Sequence, residues 1–229
     1  MEQVSTILEV IFIATTIITV WQFYRASNSS KFFLLIAVLI AISQFFIGRT
    51  NFYENGNTIP PRFLLLIAPA IVFIVLLFIT KQGKYFLDSI NLKHLSILHT
   101  VRIPVEIVLY YLFVAKTIPQ IMTFEGKNFD IIAGLTAPII YYFGFVKNRI
   151  STTLILAWNI LSLGLLLNIV FIAILSTTTP FQKFGFDQPN IAIAHFPFNW
   201  LPSIIVPLVL LSHLTTIRQL LLRKKKNNS

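Results

Sequence analysis

Thr153-Leu154-Ile155-Leu156-Ala157-Trp158-Asn159-Ile160-Leu161-Ser162-Leu163-Gly164-Leu165-Leu166-Leu167-Asn168-Ile169-Val170-Phe171-Ile172-Ala173-Ile174-Leu175-Ser176 runs for 24 residues without a charged side chain. A helix rises about 1.5 Å per residue, so about 20 apolar residues cross a bilayer core of about 30 Å. This stretch predicts a membrane-crossing helix. Six more read the same way: residues 5–24, 32–48, 63–80, 95–116, 130–146 and 197–217. Together they predict an all-α integral membrane protein, a seven-transmembrane-helix bundle with Pro-kinked helices. It forms one polytopic domain over residues 1–229, and residues 218–229 form a basic cytoplasmic tail.

Composition points the same way. The chain has 229 residues, 56% of them hydrophobic and only 11% charged, with a mean hydropathy of +0.80. A soluble domain carries about 25% charged residues, so an ordinary cytosolic enzyme and a disordered chain are both excluded. With no cysteine at all, disulfides, thiolate chemistry and Cys-ligated metals are excluded as well. Met1-Glu2-Gln3-Val4 is acidic where a signal peptide would be basic, and no small-residue cleavage site follows the first apolar run, so no cleavable signal is expected.

Eighteen Lys and Arg against eight Asp and Glu give a net charge of +10. In a soluble protein that excess would suggest a nucleic-acid partner. Here the basic residues lie in short gaps between apolar runs, where they orient the chain in a bilayer instead. With the N-terminus outside, the inner segments hold 12 Lys and Arg, the outer ones 5, and Arg102 lies within a span. The expectation is therefore N-terminus out, C-terminus in, in the inner (cytoplasmic) membrane as a multi-pass protein. The lipid bilayer is the partner, anionic lipid is expected at the C-terminal basic tail, and no nucleic acid is. No internal repeat at half-length is visible, so the inverted-repeat transporter signature is missing. No loop is long enough for a soluble domain; the longest spans residues 176–196.

Ionisable side chains inside a span cost a few kcal/mol each and mark a function or a structural pair. They gather in Leu98-His99-Thr100-Val101-Arg102-Ile103-Pro104-Val105-Glu106. At about 100° per residue, His99, Arg102 and Glu106 fall within about 60° of one helix face. Arg102 and Glu106 are an i, i+4 pair of opposite charge. Counting rise from the inner surface puts Asn159, Ser162 and His213 at the same depth, with Trp21, Gln22, Tyr141, Tyr142 and Trp158 nearby. The expected buried polar, proton-relay or substrate site is His99, Arg102, Glu106, Asn159 and His213. Ser162, Asn199 and Ser203 are its secondary members.

Five prolines, Pro69, Pro104, Pro138, Pro202 and Pro207, are expected to interrupt four helices. Each strands the carbonyl four residues earlier; those of Thr100, Phe198 and Ser203 are candidates to line a wet cavity, although the weightier expectation is that proline is simply common and tolerated in membrane helices. Asn51, Tyr53, Glu54, Glu125, Asp130, Asp187, His195 and Trp200 form a second group on the outer surface. For its acidic members solvated loop charge is expected, and for Trp200 an interfacial belt.

No nucleotide-hydrolase or protease motif appears, and no clustered metal spacing does. The outline is similar to the microbial rhodopsins. However, no lysine lies between Phe196 and Ile217 to form a Schiff base, so covalent retinal is excluded. No cofactor is expected, with haem on His99 and His213 as the alternative. The reading that follows is a small proton-linked permease or carrier: Glu106 exchanges protons, Arg102 holds an anionic group or keeps Glu106 ionised, and a histidine relays. The alternatives are a non-catalytic subunit or sensor whose cluster is structural, and an intramembrane lipid-modifying protein.

Overall fold

The structure, a computed structural model, describes residues 4–56, 58 and 60–228, without the side chains of 226–228. Met1, Glu2 and Gln3 of the N-terminal start read for a signal peptide, and Ser229 of the basic tail, lie outside the described residues. The protein is 74% helical, with no strand among the described residues.

Among the described residues nine α-helices follow in order: α1 Thr6–Ala26, α2 Lys31–Ile47, α3 Ala68–Ile79, α4 Lys81–Ser89, α5 Leu92–Leu98, α6 Arg102–Val114, α7 Asp130–Ile139, α8 Thr152–Leu175 and α9 Val206–Asn228. Local chemistry sets their starts. Ser5, Ser30, Thr80, Asn91 and Ser151 each accept a backbone N–H of the first turn of α1, α2, α4, α5 and α8, as N-cap residues do.

Among the described residues four helical runs are long and apolar enough to cross a membrane: Thr6–Ala26, Leu92–Val114, Thr152–Leu175 and Leu201–Lys225. The remaining expected spans are shorter or bent, since Lys31–Ile47 and Asp130–Val146 fall among helices of 10–17 residues. The stretch expected as one helix over 63–80 is two pieces and a turn. A 3-10 segment covers Arg62–Leu66, α3 follows, and the chain then bends 93° into α4. Thr80 is extended at the bend (φ −81°, ψ 150°), and its hydroxyl caps Gly83 while donating back to Leu76.

The run Leu201–Lys225 is the centre of the bundle, with 67% of its apolar window buried against 33% for α1 and α8. Its neighbours include α1, α3, α5 and α8. The outward faces of α1 and α8 carry exposed Ile7, Val10, Ile17, Leu161, Leu167 and Phe171. That apolar exposure is what lipid-facing helices present.

Two ends of the bundle can be told apart by their contacts. At one, α4 is tied in by Arg218, which donates Nε and Nη2 to Asp88 at 2.9 Å each, and by Gln219, which donates to the Leu87 and Ile90 carbonyls. We call this the tail end. At the other, the long 176–196 connection is laced down: Gln188 donates to the Phe113 and Ile118 carbonyls, and the Ile191 N–H to that of Thr117. This is the loop end.

Proline acts differently from the expectation at several positions. Pro69 lies in the first turn of α3, so it starts that helix. Pro104 is the third residue of α6, just after a 3-10 turn over His99–Val101. Pro138 and Pro202 accompany π-helical turns over Ile140–Val146 and Leu201–Ile205. The Phe198 carbonyl accepts Leu201 N–H at 3.0 Å, and so is not freed. Widening or tightening the helix is how the backbone absorbs the missing donor.

A Cβ on Gly83 would collide with the Leu77 backbone, so the α3–α4 bend requires glycine there. Gly83→Val is expected to lower stability by about 1–3 kcal/mol, the range for overpacking, read as a lower Tm in detergent. An unchanged Tm would mean that α4 does not pack back on α3.

Candidate functional site

Arg102 begins α6 and Asp130 begins α7, and both are buried, at 2% and 5% exposure. Arg102 Nε lies 3.0 Å from Asp130 Oδ2, and Nη2 donates to the Ser162 carbonyl of α8 at 3.2 Å. One guanidinium thus ties three helices. The approach depends on Gly134, one turn along α7, where a Cβ would lie 2.9 Å from Ile103 Cγ1 and 3.2 Å from Arg102 Cβ. Asp130 lies in the first turn of its helix, at the positive end of the helix dipole.

Glu106, one turn beyond Arg102 and 1% exposed, is held from another direction. Asn128 Nδ2 donates to both Glu106 oxygens at 2.7 Å and to the Met122 carbonyl at 3.0 Å, while its Oδ1 accepts the Asp130 N–H. The connection 115–129 therefore dips into the bundle instead of staying on the rim: Met122, Thr123 and Asn128 are all buried.

On the tail side of Arg102 lies a second polar group. His99 and His213 stack with ring centroids 3.9 Å apart and planes 17° from parallel, and Trp158 packs edgewise at 5.5 Å from His99. Asn159 Nδ2 donates to the Ile155 carbonyl, so its Oδ1 is the acceptor for His213 Nδ1–H at 3.0 Å. His213 therefore holds its proton on Nδ1. His213 Nε2 and both His99 nitrogens have no hydrogen-bond partner among the described residues.

A cavity of about 70 Å³ meets the first group but not the second. Among the described residues, Arg102, Glu106 and Asp130 are its only charged lining residues, and the walls are apolar, among them Leu109, Leu166, Val170, Ala173 and Val209. It extends to Phe63, Ile67, Ile174 and Ile193 at the loop end. Among these lining residues, Arg102 Nε and Nη1 and Asp130 Oδ1 are buried without a hydrogen-bond partner among the described residues. Such orphans in a polar-floored cavity mark a place for a ligand or water.

The profile of a family described as a domain of unknown function (DUF8737) matches residues 59–221. The chain belongs to this family. No curated protein and no solved structure matches it. The DUF8737 region holds every residue of both polar groups, and α1 and α2 precede it.

Among the expected residues, the DUF8737 fold brings Arg102 and Glu106 to one cavity and His99, Asn159 and His213 to one neighbouring cluster. Ser162 joins them through its carbonyl. Asn199 and Ser203 are elsewhere: Asn199 donates to the Gln44 carbonyl at 2.7 Å, and Ser203 donates back to the Asn199 carbonyl. The expected Arg102–Glu106 pair is replaced by Arg102–Asp130 and Glu106–Asn128. Asp130, expected as a solvated rim charge, is a buried ion-pair partner. The signal for it was only its place at the start of an apolar run; Asn128 had none.

Trp21, Tyr141 and Tyr142 leave the interior, their rings serving Arg25, Lys93 and Lys147 as cation–π partners. The stacked histidines do not suit haem, because face-to-face rings at 3.9 Å fill the space a macrocycle would take between axial ligands. No group of three or more His, Cys, Asp or Glu placed to hold a metal occurs among the described residues.

At the loop end, His195 Nε2 lies 3.4 Å from Glu54. Burial holds the His195 imidazole below its usual range, and Glu54 opposes that shift. Burial likewise raises the Tyr53 hydroxyl, which donates to Gln44 Oε1 at 2.8 Å.

Asp130→Asn leaves the Arg102 charge buried without its counter-ion, and the expected loss is about 3–5 kcal/mol. Replacing both, as Arg102→Met with Asp130→Leu, is expected to recover most of the melting temperature. Equal losses in the single and double variants would show that the pair does not act as a unit.

Proposed function

We propose that the chain is a seven-span membrane protein, N-terminus out, acting as a small proton-linked carrier centred on Arg102, Asp130 and Glu106. The observation that carries this reading is the cavity, apolar along its walls and charged only at its floor. A carrier needs a binding place in the bundle interior and a titratable group within reach of it, and Glu106 lines the same space as the orphaned atoms of Arg102 and Asp130. Ionisable residues facing an intramembrane cavity are commonly part of a substrate or proton path.

Four membrane-length helices and their exposed apolar faces support insertion. The helices that fall short are accommodated by local thinning of the bilayer or by burial against neighbours. Lys81, Lys84, Lys93, Arg218, Arg223, Lys224 and Lys225 gather near the tail end, which supports a cytoplasmic placement by the positive-inside rule. The same cluster suits anionic lipid of the inner leaflet, and we place the protein in the inner (cytoplasmic) membrane.

The absence of cysteine makes the topology directly testable. Single cysteines at Asp187 and Lys224 should label from opposite faces with an impermeant maleimide, Asp187 from outside. Labelling of both from one face removes the seven-span orientation.

For the carrier, vesicles with a trapped pH dye and an imposed pH gradient are challenged with single-chain amphiphiles bearing cationic, anionic or zwitterionic heads. At least one should drive proton movement that Glu106→Gln abolishes at unchanged protein yield. A second reading, a packing subunit, is favoured by the Arg102–Asp130 tie across three helices. It predicts no proton movement with any head group and a collapse of yield in Glu106→Gln.

A further inference from the structure

The charge of the cavity floor is not balanced. Arg102 contributes one positive charge, while Asp130 and Glu106 contribute two negative ones when both are ionised. The guanidinium is only partly satisfied: Nε lies 3.0 Å from Asp130 and Nη2 donates to the Ser162 carbonyl at 3.2 Å, while Nε and Nη1 make no hydrogen bond among the described residues. What is left over is one carboxylate, in a cavity whose other walls are hydrocarbon. An unpaired charge in such surroundings costs several kcal/mol, so the floor must take up one positive charge.

Two sources can supply it: a proton on Glu106, or the head of a bound cation. We propose that the cavity binds an amphiphilic monocation of the alkylammonium class, which takes the place of a proton on Glu106. This inference rests on the carrier reading above and names its substrate. In the exchange the Glu106 O–H bond breaks, the proton leaves to water, and the ammonium settles between the Glu106 carboxylate and Asp130 Oδ1. The floor is neutral before and after. Asp130 Oδ1, a buried acceptor without a partner among the described residues, then faces a positive head.

The chain of the ligand is argued from the walls. The cavity, at about 70 Å³, is small, and its lining extends from Leu109, Leu166, Val170 and Ala173 to Phe63 and Ile193 at the loop end. Hydrocarbon walls suit an alkyl chain, whose burial supplies about 0.8 kcal/mol per methylene.

An anionic or zwitterionic head fits the charge count less well. Arg102 Nη1 is also without a partner, and an acidic head would satisfy it. Yet an anion leaves the floor with net negative charge whether or not Glu106 holds a proton, and a zwitterion requires the proton to stay. The other titratable groups packed around Glu106 do not supply a positive charge at the floor. His99 and His213 do not line the cavity and stack on each other at 3.9 Å instead. From α1, Thr15, Thr16 and Thr19 donate back to their own helix carbonyls, and α8 offers the Ser162 carbonyl.

The test uses the full chain in a neutral maltoside detergent, weakly buffered, with decyltrimethylammonium, decyl sulfate and decylphosphocholine as probes. They share one chain length and differ in head charge. Expected is release of one proton per chain with decyltrimethylammonium alone, saturable and lost in Glu106→Gln. Ala173→Phe, which narrows the cavity without touching its floor, should weaken cation binding by about tenfold or more, equivalent to about 1.4 kcal/mol. Proton release by decyl sulfate or decylphosphocholine, or none by the cation, overturns the cation assignment, and the comparison needs no variant to fold. Cation-driven release without vesicle uptake supports the binding proposal and overturns the carrier reading alone. Uptake of an anion without cation-driven release overturns the substrate class and leaves the carrier reading standing.

Discussion

A guanidinium buried among hydrocarbon cannot stand alone, and the arrangement of this bundle follows from how Arg102 is satisfied. Its positive charge draws Asp130 to 3.0 Å and one of its amino groups finds the Ser162 carbonyl. Those two contacts bring the starts of α6 and α7 together and register both against the middle of α8. Gly134 permits the approach, since any side chain there would meet Ile103 and Arg102. Because Asp130 must reach that depth, α7 starts inside the bundle and the preceding connection follows it inward. Asn128 then comes within reach of Glu106. One electrostatic requirement thus sets a helix pair, a re-entrant connection and the second carboxylate of the cavity floor.

The irregular backbone lies close to these groups. A 3-10 turn over His99–Val101 precedes Arg102, and a π turn at Leu201–Ile205 passes the cavity wall. Membrane interiors tolerate broken helices only where protein or a cavity satisfies the backbone. The breaks change the pitch just where side chains must meet. Along the face that carries His99, Arg102 and Glu106, His99 packs toward α9 and Glu106 toward the connection before α7.

The interior polar residues consequently form two neighbouring groups with different characters. The charged floor opens on a cavity and keeps unpartnered polar atoms there. The histidine stack is closed off, edged by Trp158 and fixed by Asn159. In the proposed carrier, the floor exchanges its proton for ligand charge, and the stack is the next polar step toward the tail end. The α4 bend and the Arg218–Asp88 pair brace that end, while the laced 176–196 connection covers the other.

The sequence by itself determined the all-helical class, the apolar runs and several of the polar residues gathered around Arg102 and His213. These depend on composition, on spacing along one helix and on the cost of charge in hydrocarbon, all of which are local. Arg102, Glu106, His99, Asn159 and His213 were legible because a polar side chain within an apolar run stands out. What only the tertiary structure decided is which residue pairs with which. The i, i+4 rule suggested Arg102 with Glu106, but a partner on another helix could approach more closely through Gly134. Asp130 and Asn128 were hidden because depth was counted from a surface start, and their connection folds inward. The bend at Thr80 was hidden too, since α3 and α4 read as one span and a loop until α4 had α9 to pack against. Pairing across helices depends on distances in space, which residue spacing along a single chain does not contain.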